Sequence, residues 1–153
     1  MTEEFKHGEE ALPCFNCGTC TAGCAVREVH PGFDPRKIIR QVLLGRIDDG
    51  LLRETAWLCA DCHTCSERCP QGVPVNEIIM ALRHMAVKQG IVPAAYRGQM
   101  DTIHKSGHIY EVADFNKKRA KTGLPELRDD GAPYEKIYSS LGLDKVLKQE
   151  KEK

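Results

Sequence analysis

The chain has 153 residues, and its 22 acidic and 22 basic side chains give a formal net charge of zero. A balanced charge without a long basic block argues against a nucleic-acid or polyanion partner. No apolar run approaches the roughly 18 residues that a membrane-spanning helix needs, and the first ten residues lack the apolar core of a secretory signal. We therefore expect a cytoplasmic protein without a membrane span.

Eight cysteines form two runs with the same C-x2-C-x2-C-x3-C spacing. The first run is Cys14, Cys17, Cys20 and Cys24, and the second is Cys59, Cys62, Cys65 and Cys69. This spacing is that of bacterial ferredoxins with two [4Fe–4S] clusters. The second run continues with Pro70, as in the bacterial motif, whereas the first continues with Ala25, so the turn after the first run is expected to differ.

The fourth cysteine of each run in two-cluster ferredoxins binds the cluster of the other run. The spacing therefore predicts two crosswise ligand sets that use every cysteine. Cluster 1 is predicted to be bound by Cys14, Cys17, Cys20 and Cys69, and cluster 2 by Cys59, Cys62, Cys65 and Cys24. We identify no catalytic residue, because the sequence contains no nucleotide-binding, zinc-protease or serine-hydrolase motif.

Two other uses of the cysteines have to be weighed. A disulfide framework fits an even count, but it is rare in a reducing compartment, and no cysteine follows Cys69. Structural zinc sites made only of cysteines usually pair two C-x2-C knuckles across a spacer. Here each run has three cysteines in that rhythm and a fourth, so two zinc ions would fit only with awkward geometry. Iron and acid-labile sulfide analysis separates the zinc alternative from the clusters.

Helix signals predict an all-α fold. Asp34 and Pro35 are a start signal for a helix that ends near Gly45, and its apolar face is predicted to contain Ile38, Ile39, Val42 and Leu43. A second start lies near Asp48 and Asp49. Further helices are predicted for about Pro74 to Gln89, Pro93 to Lys105, Asp114 to Lys121 and Pro133 to Leu141, followed by a charged, frayed end from Asp144 to Lys153.

These helices suggest two regions. Residues 10–106 are predicted to form an α-helical ferredoxin domain with two pseudo-symmetric cluster-binding loops. Residues 107–153 are predicted to form a helical C-terminal extension that docks partner proteins. Near the ligands, His63 is expected either to hydrogen-bond a cluster sulfur or to face solvent, and Trp57, Leu58 and Phe15 either to shield a cluster from water or to belong to the core.

Several motifs resemble a known family. They are Cys17-Gly-Thr-Cys20-Thr, the run from Cys59 to Pro70, Asp34 to Arg40, the helix from Val75 to Gly90 and Lys105-Ser-Gly-His108. Over roughly residues 10 to 125 the chain resembles the C subunit of heterodisulfide reductase. This resemblance implies an α-helical ferredoxin fold.

The resemblance also implies a role. Such a protein would relay electrons from the A subunit, which carries flavin and iron–sulfur clusters, to the B subunit, whose Cys-Cys-Gly-type clusters cleave the disulfide of coenzymes M and B in methanogenesis. A hydrogenase or formate dehydrogenase is a further expected partner. This chain has no adjacent Cys-Cys pair, so we do not expect it to perform the disulfide chemistry. The alternatives are an independent soluble dicluster ferredoxin and an iron–sulfur subunit of another anaerobic oxidoreductase.

Overall fold

The computed structural model describes residues 7–143 and residue 146. The chain divides into two compact units on either side of the Ile91–Val92 bond. This division precedes the domain boundary that the sequence suggested at residues 106 and 107. The physical reason lies in the helix that begins at Ala94, because it packs within the C-terminal unit. Over the described residues the secondary structure consists of helices and turns without a strand, which confirms the all-α prediction.

The first unit contains short helical turns around two longer helices. Its α-helices are α1 (His7–Glu10), α2 (Thr19–Ala22), α3 (Ala25–Val29), α4 (Pro35–Leu43), α5 (Thr64–Glu67) and α6 (Val75–Lys88). Between α4 and α5, a π-helical turn spans Leu51–Thr55 and a 3-10 turn spans Ala56–Leu58. The one-turn helices α2 and α5 each contain the third cysteine of a run, and they pack against each other.

The helix α4 begins as predicted. The Asp34 side chain accepts a hydrogen bond from the Lys37 amide at 3.1 Å, and Pro35 is the first helical residue. This N-cap satisfies one of the amides that a helix start leaves without a partner. Of the predicted apolar face, Ile38, Ile39 and Val42 are buried, whereas Leu43 is 37% exposed.

The core of the first unit is formed by α4, α6 and the π-helical turn. Its fully buried large side chains are Phe33, Pro35, Ile38, Ile39, Leu52, Val73, Val75, Ile78, Ile79 and Leu82. Partly buried cysteines of both runs pack against this core. Burial of apolar side chains is the main stabilising contribution in such a unit, and here the same core supports both cysteine loops.

The second unit contains α7 (Ala94–Ser106), α8 (Ala113–Lys121) and α9 (Ala132–Leu141). Helix α7 packs on α9, where the Tyr138 hydroxyl donates a hydrogen bond to the Met100 carbonyl at 2.9 Å. Helix α8 begins one residue before the predicted start at Asp114, and the Asp114 side chain forms an ion pair with Lys117. Apart from Val146, the charged end from Asp144 to Lys153 lies outside the described residues. Within the described ranges no helix combines the length and apolarity needed to cross a bilayer.

Candidate iron–sulfur site

The two cysteine runs adopt the same backbone conformation. The residue before the second cysteine is left-handed in both, with φ of 64° at Asn16 and 53° at Asp61. The residue after it is left-handed as well, with φ of 88° at Gly18 and 61° at His63. Among the described residues, Asn16, Asp61 and His63 are the three non-glycine positions with positive φ. Such strain concentrates at functional sites, and here it allows each loop to turn through its first three cysteines.

A hydroxyl follows the third cysteine of each run and ties the loop to the next long helix. In the first loop Thr21 donates to the Asp34 carboxylate at 2.6 Å and accepts from the Arg36 amide at 3.0 Å. In the second loop Ser66 donates to the Asn76 side-chain carbonyl and accepts from the Asn76 amide at 3.1 Å. We call these the first and second tethers. Each holds a loop at the N-terminus of a longer helix, α4 or α6.

The two tethers differ in charge. The first ends on an ionisable carboxyl group: partial burial alone would raise the pKa of Asp34, but the hydrogen bonds from Thr21 and Lys37 and the nearby arginines outweigh it and lower that pKa. The second ends on Asn76, a neutral amide that is only 3% exposed. The Asn76 side-chain NH2 lies 2.8 Å from His63 Nδ1, so the amide donates there and the imidazole nitrogen accepts. The His63 ring is thereby held at the loop, although half of it faces solvent.

Four cysteines line one pocket in the first unit. They are Cys24 from the end of the first run and Cys59, Cys62 and Cys65 from the second. The pocket is partly open to solvent, and its apolar lining includes Val26, Phe33 and Ile79. The sequence predicted these four thiols as one ligand set, and the fold brings them to the same pocket.

The residues before the two fourth cysteines also meet. A Cβ atom on Gly23, which precedes Cys24, would lie 3.1 Å from the guanidinium of Arg68, which precedes Cys69. The Arg68 side chain therefore covers Gly23, and the ends of the two runs are neighbours.

All eight cysteines are free thiols, but their environments differ by position in the run. The second cysteine is exposed in both runs, and the hydroxyl two residues later lowers its pKa: Thr19 acts on Cys17, and Thr64 acts on Cys62. The third cysteine is half-buried in both runs. Burial raises the pKa of Cys20, and burial together with the charge of Cys59 raises that of Cys65 to about 11.

The donor set fits an iron–sulfur cluster. Thiolates are the usual protein ligands of [4Fe–4S] clusters, and a partly buried, apolar wall keeps water from the sulfur atoms. Within the described residues, no three Cys, His or carboxylate side chains converge on one point where they could bind a single ion. A cubane does not require such convergence, because each of its thiolates binds a different iron.

Sequence reasoning did not identify Arg83 or Asn76 as site residues. Arg83 lies on α6 and donates hydrogen bonds to main-chain carbonyls just before the second loop. Both residues lie in the helix from Val75 to Gly90, but no local spacing singles them out there, because each contacts residues that are distant along the chain. The two tether hydroxyls could have been found from the sequence, because Thr21 and Ser66 occupy the same position in the two runs.

Comparisons with known proteins show which proteins this chain resembles. A family model described as a 4Fe–4S dicluster domain matches residues 10–73, which include both runs. The C subunit of ferredoxin:CoB-CoM heterodisulfide reductase from Methanosarcina mazei is 33% identical over 139 residues, 88% of this chain and 83% of the relative. The iron–sulfur C subunit of CoB–CoM heterodisulfide reductase from Methanopyrus kandleri is 33% identical over 92% of this chain and 75% of the relative. The corresponding protein of Methanosarcina acetivorans is 35% identical over 81% and 80%.

Proposed function

The chain belongs to the family of heterodisulfide reductase C subunits, and from this premise we propose the route that electrons take through it. It carries two [4Fe–4S] clusters and transfers electrons as part of an oxidoreductase complex. In our proposal electrons arrive from the flavin-bearing A subunit and leave to the B subunit, where the disulfide is reduced. This chain binds no substrate, in keeping with the absence of an adjacent Cys-Cys pair from its sequence.

The proposed ligand sets are crosswise. Cys14, Cys17, Cys20 and Cys69 hold the first cluster, and Cys59, Cys62, Cys65 and Cys24 hold the second. One observation carries this assignment: Cys24 lines the same pocket as the three cysteines of the second run. The contact between Gly23 and Arg68 supports it, because it makes neighbours of the two segments that would exchange a ligand.

The chain's own residues prepare each site for electron transfer. When bound, the clusters supply one-electron carriers. The two tethers fix the loops on α4 and α6, so the ligands are held before and after an electron arrives. Phe33 and Ile79 exclude water from the second site, whereas the exposed Cys17 and Cys62 bring one edge of each site to the surface. Close neighbouring sites with one exposed edge each suit a relay with an entry and an exit.

The ligand sets can be tested by combining substitutions. Cys24→Ala is expected to leave one cluster, about four irons per chain, since each cubane needs its four thiolates. Adding Cys62→Ala should remove little more iron, because both changes affect the same site, whereas adding Cys17→Ala should remove nearly all of it. The matched variant Cys69→Ala should give the reverse pattern. Iron and sulfide analysis of anaerobically prepared protein measures this. A Cys24→Ala variant that loses further iron only with Cys62→Ala would contradict the crosswise sets.

The relay role requires the whole complex. A complex containing Cys17→Ala is expected to assemble and to reduce the disulfide with a small artificial reductant that reaches the disulfide-reducing partner directly. When electrons enter through the flavin-bearing partner, the turnover rate of disulfide reduction should fall at least about tenfold, because one electron carrier between the two partners is missing. Loss of both activities would mean that this chain participates in the disulfide chemistry. The cytoplasmic location and the attachment of a hydrogenase or formate dehydrogenase stay predictions.

A further inference from the structure

Arg83 lies where α6 faces the approach to the second cysteine loop. Its Nε donates to the Ala56 carbonyl at 2.9 Å, and one terminal nitrogen reaches the carbonyls of Trp57, at 3.4 Å, and Cys59. The guanidinium also lies over the Trp57 ring, 5.7 Å from its centroid. One partly buried side chain thus fixes the three residues around the first cysteine of the run. The planar fork of arginine suits this role, since its several donors point in fixed directions.

The same side chain brings a permanent positive charge to Cys59. That charge lies beside the main chain of Cys59, because a terminal nitrogen of the guanidinium donates to the Cys59 carbonyl. In the first run the segment before Cys14 is held differently, by main-chain hydrogen bonds from Leu12 to Glu9 and from Cys14 to Ala11, both 3.0 Å. The two runs therefore differ at their first cysteine: a guanidinium holds the main chain of the second run, and main-chain hydrogen bonds hold that of the first.

We propose that Arg83 is a positioning residue that holds Cys59 and raises the reduction potential of the site containing it. Reduction adds a negative charge to a cluster, and a nearby cation in a partly buried position stabilises the reduced state more than the oxidised state. Arg83 thereby makes the second site a better electron acceptor than its ligands alone would make it. This inference rests on the proposed assignment of Cys59 to the second cluster.

The test is a potentiometric titration of the anaerobic, cluster-loaded full chain, followed by electron paramagnetic resonance. The single variants Cys17→Ala and Cys62→Ala identify which reduction step belongs to which site. In Arg83→Gln the step of the second site should move to a more negative potential, while the step of the first site stays in place. Arg40→Gln is the matched control, because it removes the same charge from an exposed position on α4 and should move neither step.

Partial loss of clusters does not obscure this result, since only loaded sites give a signal. If Arg83→Gln yields no loaded protein, Arg83→Met decides, because methionine is uncharged and of similar length, and the second reduction step should again move to a more negative potential. Arg83→Lys keeps the charge but cannot reach all three carbonyls, so its shift should be smaller. An unchanged second step in loaded Arg83→Gln, or in Arg83→Met where that is the only loaded uncharged variant, overturns the proposal. The ligand assignment would stand in that case, because it is tested by iron content and not by potential.

Discussion

The two cysteine loops share their geometry but differ in their charges. Both turn through left-handed residues at the same two positions, and both are tied to a helix by a hydroxyl after the third cysteine. The first tether ends on the ionised Asp34, whereas the second ends on the buried amide of Asn76, which also holds His63. The cysteine repeat therefore sets the shape of each site, while residues outside the repeat set its electrostatic environment. Two cluster sites of similar shape can in this way differ in their electrostatic environment and act at different points of one electron-transfer route.

Phe33→Ala should cause the largest loss of stability, and it should show most clearly how the two cluster sites differ. Phe33 is 1% exposed and forms part of the wall of the pocket that Cys24 shares with the second run. Truncation of a buried phenylalanine costs about 3–5 kcal/mol through lost burial and cavity formation. The urea midpoint for loss of visible cluster absorbance should fall, and the second cluster should be lost first. Leu44→Ala, at a position that is 56% exposed, is the control and should change stability by about 0.5 kcal/mol or less. Simultaneous loss of both clusters in Phe33→Ala would argue against a separate wall for the second site.

The two tethers can be cut individually with Thr21→Val and Ser66→Ala. Each variant removes a hydroxyl that both donates and accepts, and a polar partner left without its bond when buried costs about 1–3 kcal/mol. Ser66→Ala should be the more costly change, because Asn76 is buried, whereas Asp34 keeps its bond from the Lys37 amide. Urea titration of both variants under the same conditions gives the comparison. Equal costs would show that burial of Asn76 does not distinguish the tethers.

Substitutions at Gly18 and His63, which share a left-handed backbone conformation, should change stability by a smaller amount. In Gly18→Ala the new Cβ would meet Arg36 at an ordinary 3.6 Å, so the cost is conformational, about 1–2 kcal/mol for a left-handed residue. In His63→Gly a similar gain is offset by the cost of leaving the buried Asn76 amide without its acceptor, about 1–3 kcal/mol, so the net change in stability should be small. The same urea assay measures both. A large loss in His63→Gly would mean that the bond to Asn76 outweighs the backbone strain.

The pH dependence of the tethers should give the smallest difference. Asp34 has a lowered pKa in the folded protein, so its contribution to stability is complete above the ordinary carboxyl pKa of 3.8 and is lost as the pH falls through the lowered value. The advantage of the wild type over Asp34→Asn should shrink across that range, whereas Asn76 does not titrate. Initial rates of cluster loss after rapid acidification measure this. If the ratio of the cluster-loss rates of Asp34→Asn and wild type does not change with pH, Asp34 is excluded as the source of acid sensitivity.

The sequence by itself determined the eight thiols, their division into two runs, the all-α class and the start of α4 at Asp34, because these depend on spacing and on neighbouring residues. It placed α6 and α7 to within about a residue for the same reason. Only the tertiary structure decided that α7 belongs to the C-terminal unit, that Asn76 holds His63, and that Arg83 reaches the carbonyl of Cys59. These contacts join residues far apart in the chain, and they form only after the apolar faces of the helices have packed, which no local pattern encodes.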